Sequence, residues 1–246
     1  MVGALAISDL RTRYGRGRLR SIKWLLDPYA AAGVYLILIA FVLHREGVAP
    51  GLSIACAIVP FQLVMATTIN ALTSVQLRGS IIANMAFQRA LIPLASTVTE
   101  SIAFAASLTL LALMMAVYGV APTIAVAWLP LVLLVTFAFA LAVAFPAALV
   151  GLWYPELNTF IVSGVRTAFF LAAGLVALGQ THGGAHTLLS LNPLTAIFES
   201  YRDVLLYGQS PAAWELLYPV AFALLLLGVF TRLYKREESQ FAKVIE

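Results

Sequence analysis

Long apolar stretches, and the positions of the cations between them, constrain this chain more than any other feature. Six segments are apolar, and at about 1.5 Å per residue they are long enough, or nearly so, to cross ~30 Å of hydrocarbon as helices. They cover residues 25–43, 52–77, 90–118, 124–153, 157–178 and 216–233. The sequence therefore predicts an all-α integral membrane protein, with residues 1–246 forming a single transmembrane domain.

The 15 Lys and Arg residues divide unequally between the two sides that these spans define. Arg45 and Arg202 fall on one side and Arg166 falls inside a span. The other twelve fall on the opposite side: Arg11, Arg13, Arg16, Arg18, Arg20, Lys23, Arg78, Arg89, Arg232, Lys235, Arg236 and Lys243. Because cytoplasmic loops retain Lys and Arg, this asymmetry predicts a multi-pass protein of the cell (inner, or plasma) membrane with both termini in the cytoplasm.

Composition supports a membrane location. The chain is 62% hydrophobic and 11% charged, with a mean hydropathy of +0.95, whereas soluble domains carry roughly 25% charged residues. The net charge of +4 lies next to the spans, so it favours anionic lipid headgroups as its partner and does not indicate nucleic acid.

Residues 4–26 are too charged to span and have one basic helical face. This pattern predicts an amphipathic helix in the cytoplasmic interface. Two interpretations stay open at this point. The cations anchor the helix to lipid, or some of them bind an anionic substrate headgroup at the entrance to a pathway. The candidates are Arg11, Arg13, Arg16, Arg18 and Arg20.

Residues 78–89 form a cytoplasmic link that is longer than a hairpin between two spans requires. The link has a cation at each end and an apolar middle, which is typical of a short helix that docks on a partner protein. The candidate coupling residues are Arg78, Ile82, Met85, Phe87 and Arg89. The alternative is a plain loop.

Residues 179–213 lie on the extracytoplasmic side and predict a short helix that partly re-enters the membrane. Asn192 precedes Pro193 as a capping residue, and Gly208 follows the helix end. Apolar residues recur at spacings of three and four, with Glu199, Arg202 and Asp203 on the other face. His182 and His186 lie four residues apart but lack further ligands, so no metal site is expected.

Motifs for chemistry within this chain are absent from the sequence. It has no glycine-rich P-loop followed by Lys and Ser or Thr, so it is not expected to hydrolyse ATP itself. It also has no zinc-protease motif and no nucleophile elbow. We therefore expect a transport subunit with no cofactor of its own.

Three groups of residues, taken together, resemble a known family. They are residues 9–14 (Asp-Leu-Arg-Thr-Arg-Tyr) leading to residues 25–28 (Leu-Leu-Asp-Pro), residues 89–96 (Arg-Ala-Leu-Ile-Pro-Leu-Ala-Ser), and residues 191–195 (Leu-Asn-Pro-Leu-Thr) with Glu199, Tyr201 and Arg202. Residues 153–157 (Trp-Tyr-Pro-Glu-Leu) add a fourth similarity. In this order and spacing they resemble the membrane (permease) subunit of type-2 ABC exporters that export capsular polysaccharide, O-antigen and related lipid-linked glycans.

The resemblance implies a homodimer that works with two separate ATP-binding cassette subunits, which would bind ATP and Mg. The substrate implied is a lipid-linked polysaccharide such as O-antigen, capsule or another cell-wall glycan. A sugar chain cannot cross hydrocarbon without polar partners, so a pathway between the protomers would need polar and aromatic side chains. The candidates, for each of which helix packing is the alternative, are Tyr35, Gln62, Asn70, Phe137, Phe160 and Phe169.

Glu100 and Arg166 are charged residues inside predicted spans. Each lies about 15 Å from the start of its span, near the middle of the bilayer. Since charges at this depth rarely stand unpaired, the two residues form a candidate ion pair that braces spans three and five.

Two other functions remain possible from the sequence. An exporter of a drug or a small lipid would have a lateral opening to the bilayer instead of a continuous aromatic-lined channel. A membrane enzyme acting on lipid carriers would need acidic or His residues clustered at one interface, and the sequence shows no such cluster.

Overall fold

The computed structural model describes Gly33 and residues 49–78 and 90–237. The predicted interface helix 4–26, the first predicted span apart from Gly33, and residues 79–89 of the link lie outside the described residues. Everything described is helix, turn or irregular chain, with no strand in those ranges.

The described chain contains seven α-helices. They are α1 Pro50–Ser74, α2 Leu91–Val117, α3 Leu129–Trp153, α4 Asn158–Phe170, α5 Gly183–Ser190, α6 Pro193–Arg202 and α7 Ala213–Glu237. Short 3-10 helices at Gln76–Arg78, Ile124–Trp128, Pro155–Leu157 and Leu178–Gln180 connect them, and a π-helical turn at Asp203–Tyr207 continues α6.

Within residues 49–78 and 90–237, four helical segments are long and apolar enough to cross a membrane: Pro50–Ser74, Leu91–Val117, Ile124–Trp153 and Ala213–Leu233. They correspond to the predicted spans 52–77, 90–118, 124–153 and 216–233, whose bounds agree to within a few residues. Hydroxyl groups inside these helices bond to the carbonyl one turn earlier, as Thr68 does to Val64 and Thr136 does to Val132. This pairing lets polar side chains lie within apolar spans.

The predicted fifth span, 157–178, is wrong in its length. Helix α4 ends at Phe170, so its 13 residues extend only about 20 Å, which is less than the hydrocarbon thickness. Ala173 has a positive φ of 51°, and the N–H groups of Ala172 and Gly174 both donate to the Phe169 carbonyl. The chain therefore turns where hydropathy alone predicts continued helix.

Helix α1 is the centre of the bundle. It is buried over most of its length and packs against α2, α3, α4 and α6. Helices α2 and α3 run antiparallel across the turn at Gly119, whose φ is 68°, and α7 packs on α3 and α6. We call the end of the bundle where α1 begins and α2 ends the Pro50 end, and the opposite end the Ser74 end.

Helices α1 and α3 touch backbone to backbone at Gly151. A Cβ atom at this position would lie 1.8 Å from the Leu72 carbonyl oxygen, which no rotamer change can relieve. Small residues allow such approaches between membrane helices, and here only glycine fits.

We predict that Gly151→Ala separates α1 from α3 and lowers the free energy of unfolding by about 1–3 kcal/mol or more. Thermal unfolding of the purified protein in detergent measures the loss. Gly228→Ala in α7 is the matched control, because a Cβ atom there meets nothing within 4 Å. Equal stability of the two variants would contradict the close approach.

Candidate functional site

Helix α6 has the capping residues that the sequence predicts, but its charged side chains are not exposed as their polarity suggests. The Asn192 side chain accepts a hydrogen bond from the Leu194 N–H at 3.0 Å, Pro193 occupies the first turn, and Gly208 ends the π-helical turn with a φ of 65°. The face with Glu199 and Arg202, which the sequence assigns as the polar face, is buried. Arg202 is 0% exposed and Glu199 is 7% exposed.

The buried charges form an ordered set of contacts, which we call the Arg202 cluster (Arg202, Glu199, Ser53, Ala173, Gly174 and Leu178). Arg202 Nη1 donates to Glu199 Oε1 at 2.6 Å and Arg202 Nε donates to the Ser53 carbonyl at 3.1 Å. Arg202 Nη2 donates to the carbonyls of Ala173 and Gly174 at 2.9 and 3.2 Å. The Leu178 N–H donates to Glu199 Oε1 at 2.7 Å.

These contacts join three parts of the chain that are distant in sequence. The Ser53 carbonyl belongs to the first turn of α1, the Ala173 and Gly174 carbonyls belong to the turn after α4, and both charged side chains belong to α6. A charge-assisted hydrogen bond is stronger than a neutral one. Several such bonds are needed to offset the cost of removing an ion pair from water.

Neutral hydrogen bonds extend the connection of α5 and α6 to the bundle. Asn192 Nδ2 donates to the Leu171 carbonyl at 3.2 Å and the Tyr218 hydroxyl donates to the Leu191 carbonyl at 2.5 Å. The hydroxyls of Tyr201 and Thr136 lie 3.2 Å apart, which links α6 to α3. Helix α6 is thus fixed by polar contacts to α1, α3 and the turn after α4, and the chain just before it is fixed to α7.

An aromatic cluster lies beside these polar contacts. The ring centroid of Phe61 is 5.1 Å from that of Phe169 and 6.4 Å from that of Phe198, and the last two are 6.0 Å apart. Phe169, predicted as a channel-lining candidate, is buried here inside the protomer. Its surroundings favour a packing role.

Acidic residues continue from the Arg202 cluster towards the Pro50 end. Burial raises the pKa of the Asp203 carboxyl, and the neighbouring Glu199 raises it further, whereas a hydrogen bond with the Glu215 side chain lowers it. Glu215 is itself buried at the start of α7, where its carboxylate accepts a hydrogen bond from the Ala212 N–H at 3.2 Å.

The two charged residues predicted inside spans differ in their surroundings. Glu100 is buried in α2 and accepts a hydrogen bond from Asn70 Nδ2 of α1 at 2.5 Å. Arg166 is exposed on α4. The Glu100–Arg166 ion pair stays a prediction.

Three of the other channel-lining candidates, Gln62, Asn70 and Phe137, are half-buried, and Phe160 is 75% exposed on α4. Tyr35 lies outside the described residues, as do all five entrance candidates, Arg11, Arg13, Arg16, Arg18 and Arg20.

The coupling link begins at the Ser74 end. Its first residue, Arg78, closes the 3-10 helix after α1, and Ile82, Met85, Phe87 and Arg89 lie outside the described residues. Just before the link, Gln76 Nε2 donates to the Gly151 carbonyl at 2.9 Å and anchors the turn to α3. Leu77, which sequence reasoning did not single out, is 80% exposed.

Sequence reasoning also missed the partners of Arg202. They are backbone carbonyls, which leave no trace in the residue types. One signal was present: a cation in a helix otherwise placed against the membrane implies a buried partner. Glu199, three residues earlier on the same helical face, was a partner within reach.

The fold and its polar contacts define a multi-pass helical membrane protein with a short helical pair, α5 and α6, packed into its bundle. Comparison with known proteins adds a likeness: over nearly its whole length the chain is similar to permeases of O-antigen export systems. This confirms the family resemblance predicted from the sequence motifs.

Three relatives carry the same name, O-antigen export system permease protein RfbA. Two are from Klebsiella pneumoniae, each 22% identical over 96% of this chain and 92% of the relative. One is from Myxococcus xanthus and is 24% identical over 98% of this chain and 94% of the relative. No protein-family model matches the chain.

We predict that Arg202→Met destabilises the protein by roughly 3–5 kcal/mol, because it leaves the Glu199 carboxylate buried without its cation. The double variant Arg202→Met with Glu199→Gln should lose less stability than the two single variants lose in sum. Thermal unfolding of all four proteins measures this coupling.

Arg236→Ala, an exposed cation at the end of α7, is the control and should change stability by less than about 0.5 kcal/mol. Additive losses in the double variant would show that the two side chains do not depend on each other.

Proposed function

We propose that this chain is the transmembrane subunit of an ATP-driven exporter that moves a lipid-linked polysaccharide, such as O-antigen, capsule or another cell-wall glycan, across the cytoplasmic membrane. The observation that carries the proposal is similarity to O-antigen export permeases over 96–98% of the chain, in a bundle whose long helices are apolar enough to span a membrane. The chain acts as a transport subunit and not as an enzyme.

The proposed topology has six spans, the fifth made of the short helix α4 and the non-helical chain that follows it. Both termini lie in the cytoplasm, so that the Ser74 end faces the cytoplasm. Helices α5 and α6 then enter the bundle from the extracytoplasmic side. Two contacts support their depth in the membrane: Phe198 of α6 packs on Phe61, near the middle of α1, and Tyr201 reaches Thr136 of α3.

The proposed assembly is a homodimer with two ATP-binding cassette subunits, which bind ATP and Mg. The glycan passes between the two protomers, where hydroxyl groups of the sugars need polar partners because unpaired polar groups are costly to bury. Of the candidates that the structure describes, Phe160 is the most accessible aromatic side chain, and Tyr35, Gln62, Asn70 and Phe137 complete the proposed lining.

The cytoplasmic surface serves two proposed roles. The basic residues Arg11, Arg13, Arg16, Arg18 and Arg20 receive the anionic headgroup of the substrate. The link from Arg78 to Arg89, with Ile82, Met85 and Phe87 between them, receives movement from the ATPase. Leu77, directly before the link, is 80% exposed and is therefore available to the same partner.

We predict that vesicles containing this chain and its ATPase partner hydrolyse ATP several-fold faster when a polyprenyl diphosphate-linked glycan is added. The physical reason is that the substrate binds one conformation of the complex better and shifts the equilibrium towards it. Phosphate release measures the rate, and a partner lacking its P-loop lysine is the control. Stimulation by hydrophobic drugs and not by the glycan would favour the small-molecule exporter.

A second prediction concerns docking of the ATPase. Leu77→Ala should reduce the amount of ATPase that co-purifies with the chain by about fivefold or more, as truncation of a well-packed interface residue costs upwards of 1 kcal/mol. Leu224→Ala is the matched control, because Leu224 is an exposed leucine on α7 away from the link. If both variants retain the partner equally, Leu77 is not part of the docking site.

A further inference from the structure

Helix α4 carries a stripe of exposed polar side chains, which we call the α4 stripe (Thr159, Ser163, Arg166 and Thr167). Ser163 follows Thr159 by four positions, and Arg166 and Thr167 follow Ser163 by three and four, so all four lie on one face of the helix. All four are exposed. Among the described residues, the Arg166 guanidinium has no hydrogen-bond or ion-pair partner.

The opposite side of α4 packs into the protomer. Ile161 and Val162 contact the apolar cluster formed by α1 and α3, and Val165 and Ala168 contact the main core. The orientation of α4 is therefore fixed by its apolar side, and the α4 stripe points away from the helices of the protomer that the structure describes.

The depth of Arg166 follows from a ring contact. Phe169 packs 5.1 Å from Phe61, which lies near the middle of α1, a helix long enough to span the membrane. Arg166 precedes Phe169 by three residues and lies about 4.5 Å closer to the Ser74 end. Its Cα atom is thus at hydrocarbon depth.

Lipid tails are unsuitable neighbours for this face. The hydroxyls alone would be tolerated, because a Thr or Ser side chain can bond to its own helix, as Thr167 does to the Ser163 carbonyl at 3.0 Å. An arginine cannot satisfy its N–H groups in this way, and a cation at the centre of a bilayer costs several kcal/mol. Arg166 therefore requires water or an anion beside it.

We propose that the α4 stripe borders the transport pathway and that Arg166 binds the diphosphate of the lipid-linked glycan as it crosses the membrane. This inference rests on the proposed function. A guanidinium can hold two phosphate oxygens at once, and Ser163 and Thr167 add hydroxyl donors on the same face. Arg166 would give the diphosphate a counter-charge within the hydrocarbon, so this exposed cation and the anionic cargo complement each other.

The first test measures whether water and substrate reach the α4 stripe. Cys56 is the only cysteine, so Cys56→Ala gives a background in which Ser163→Cys and Thr167→Cys are introduced singly. Leu134→Cys and Leu224→Cys are the controls, since these leucines are 62% and 64% exposed on spans. The intact complex in phosphatidylcholine vesicles is treated with a charged methanethiosulfonate.

We expect the two stripe cysteines to react at least about tenfold faster than the controls, because the reagent attacks thiolates and thiolates form only in water. Purified polyprenyl diphosphate-linked glycan should slow the reaction. The inference is overturned if the stripe cysteines fail to react with the reagent. It is also overturned if these cysteines form a disulfide between two copies of the chain and are not labelled. Labelling that the glycan does not slow overturns the binding role.

The second test measures affinity. Arg166→Gln should raise the glycan concentration for half-maximal ATPase stimulation roughly tenfold to a hundredfold, as loss of a charged hydrogen bond predicts. Arg166→Lys, which keeps the charge, should have a smaller effect. If Arg166→Gln causes the same shift with a glycan that lacks the diphosphate, Arg166 does not bind the substrate diphosphate. The same conclusion follows if phosphatidylglycerol is the only anion whose effect on ATPase activity depends on Arg166.

Export measurements on the wild type and on the Arg166 variants separate this inference from the proposed function. If the wild-type complex fails to export the glycan, the proposed function fails. If the wild type exports but Arg166→Gln has an unchanged half-maximal concentration, the inference alone fails. Export that is lost in Arg166→Glu and in Glu100→Arg, but restored when both are combined, would make Arg166 a brace instead of a substrate contact.

Discussion

An arginine side chain enclosed by apolar helices requires an acceptor for its N–H groups, because no water is available to provide one. Arg202 obtains these acceptors from three directions: the Glu199 carboxylate, the Ser53 carbonyl in α1, and the two carbonyls of the turn after α4. The position of α6 depends on all of them together. If any one element shifts, a buried donor loses its partner, so α1, α6 and the turn after α4 are constrained to stay in register.

The same constraint explains why the helix after Trp153 stops short. A helix of 13 residues that ends inside a membrane protein leaves its last carbonyls without an intrahelical partner. After α4 the Phe169 carbonyl is satisfied by local N–H groups, the Leu171 carbonyl by Asn192 Nδ2, and the Ala173 and Gly174 carbonyls by Arg202. The break in α4 and the cation in α6 are therefore two parts of one arrangement, although 28 and 29 residues separate the partners.

The limits of sequence reasoning follow from the range of the interactions involved. The spans at α1, α2, α3 and α7 were predictable because length and apolarity are local properties that the bilayer imposes. The caps of α6 were predictable for the same reason, since Asn192, Pro193 and Gly208 act on neighbouring backbone groups. The end of α4 was not predictable, because Leu171, Ala172, Leu175 and Val176 continue the apolar pattern and the turn depends on distant contacts. The burial of Arg202 was likewise hidden, since its acceptors are mostly main-chain atoms.

Charged residues make up only 11% of this chain. The structure describes two arginines that lie outside the basic termini and the link, Arg166 and Arg202, and their surroundings are opposite. Arg202 is fully enclosed and its donors are paired within the protomer, which suits a residue that positions helices. Arg166 lies one turn from Phe169, which packs near the middle of α1, yet the described part of the protomer leaves it exposed and without a partner. A bilayer penalises a buried cation wherever it lies, so the missing partner of Arg166 must come from outside the described helices. An exporter of an anionic lipid-linked polymer brings such a partner to this depth during each transport cycle, and a cation already paired by the protein could not serve it.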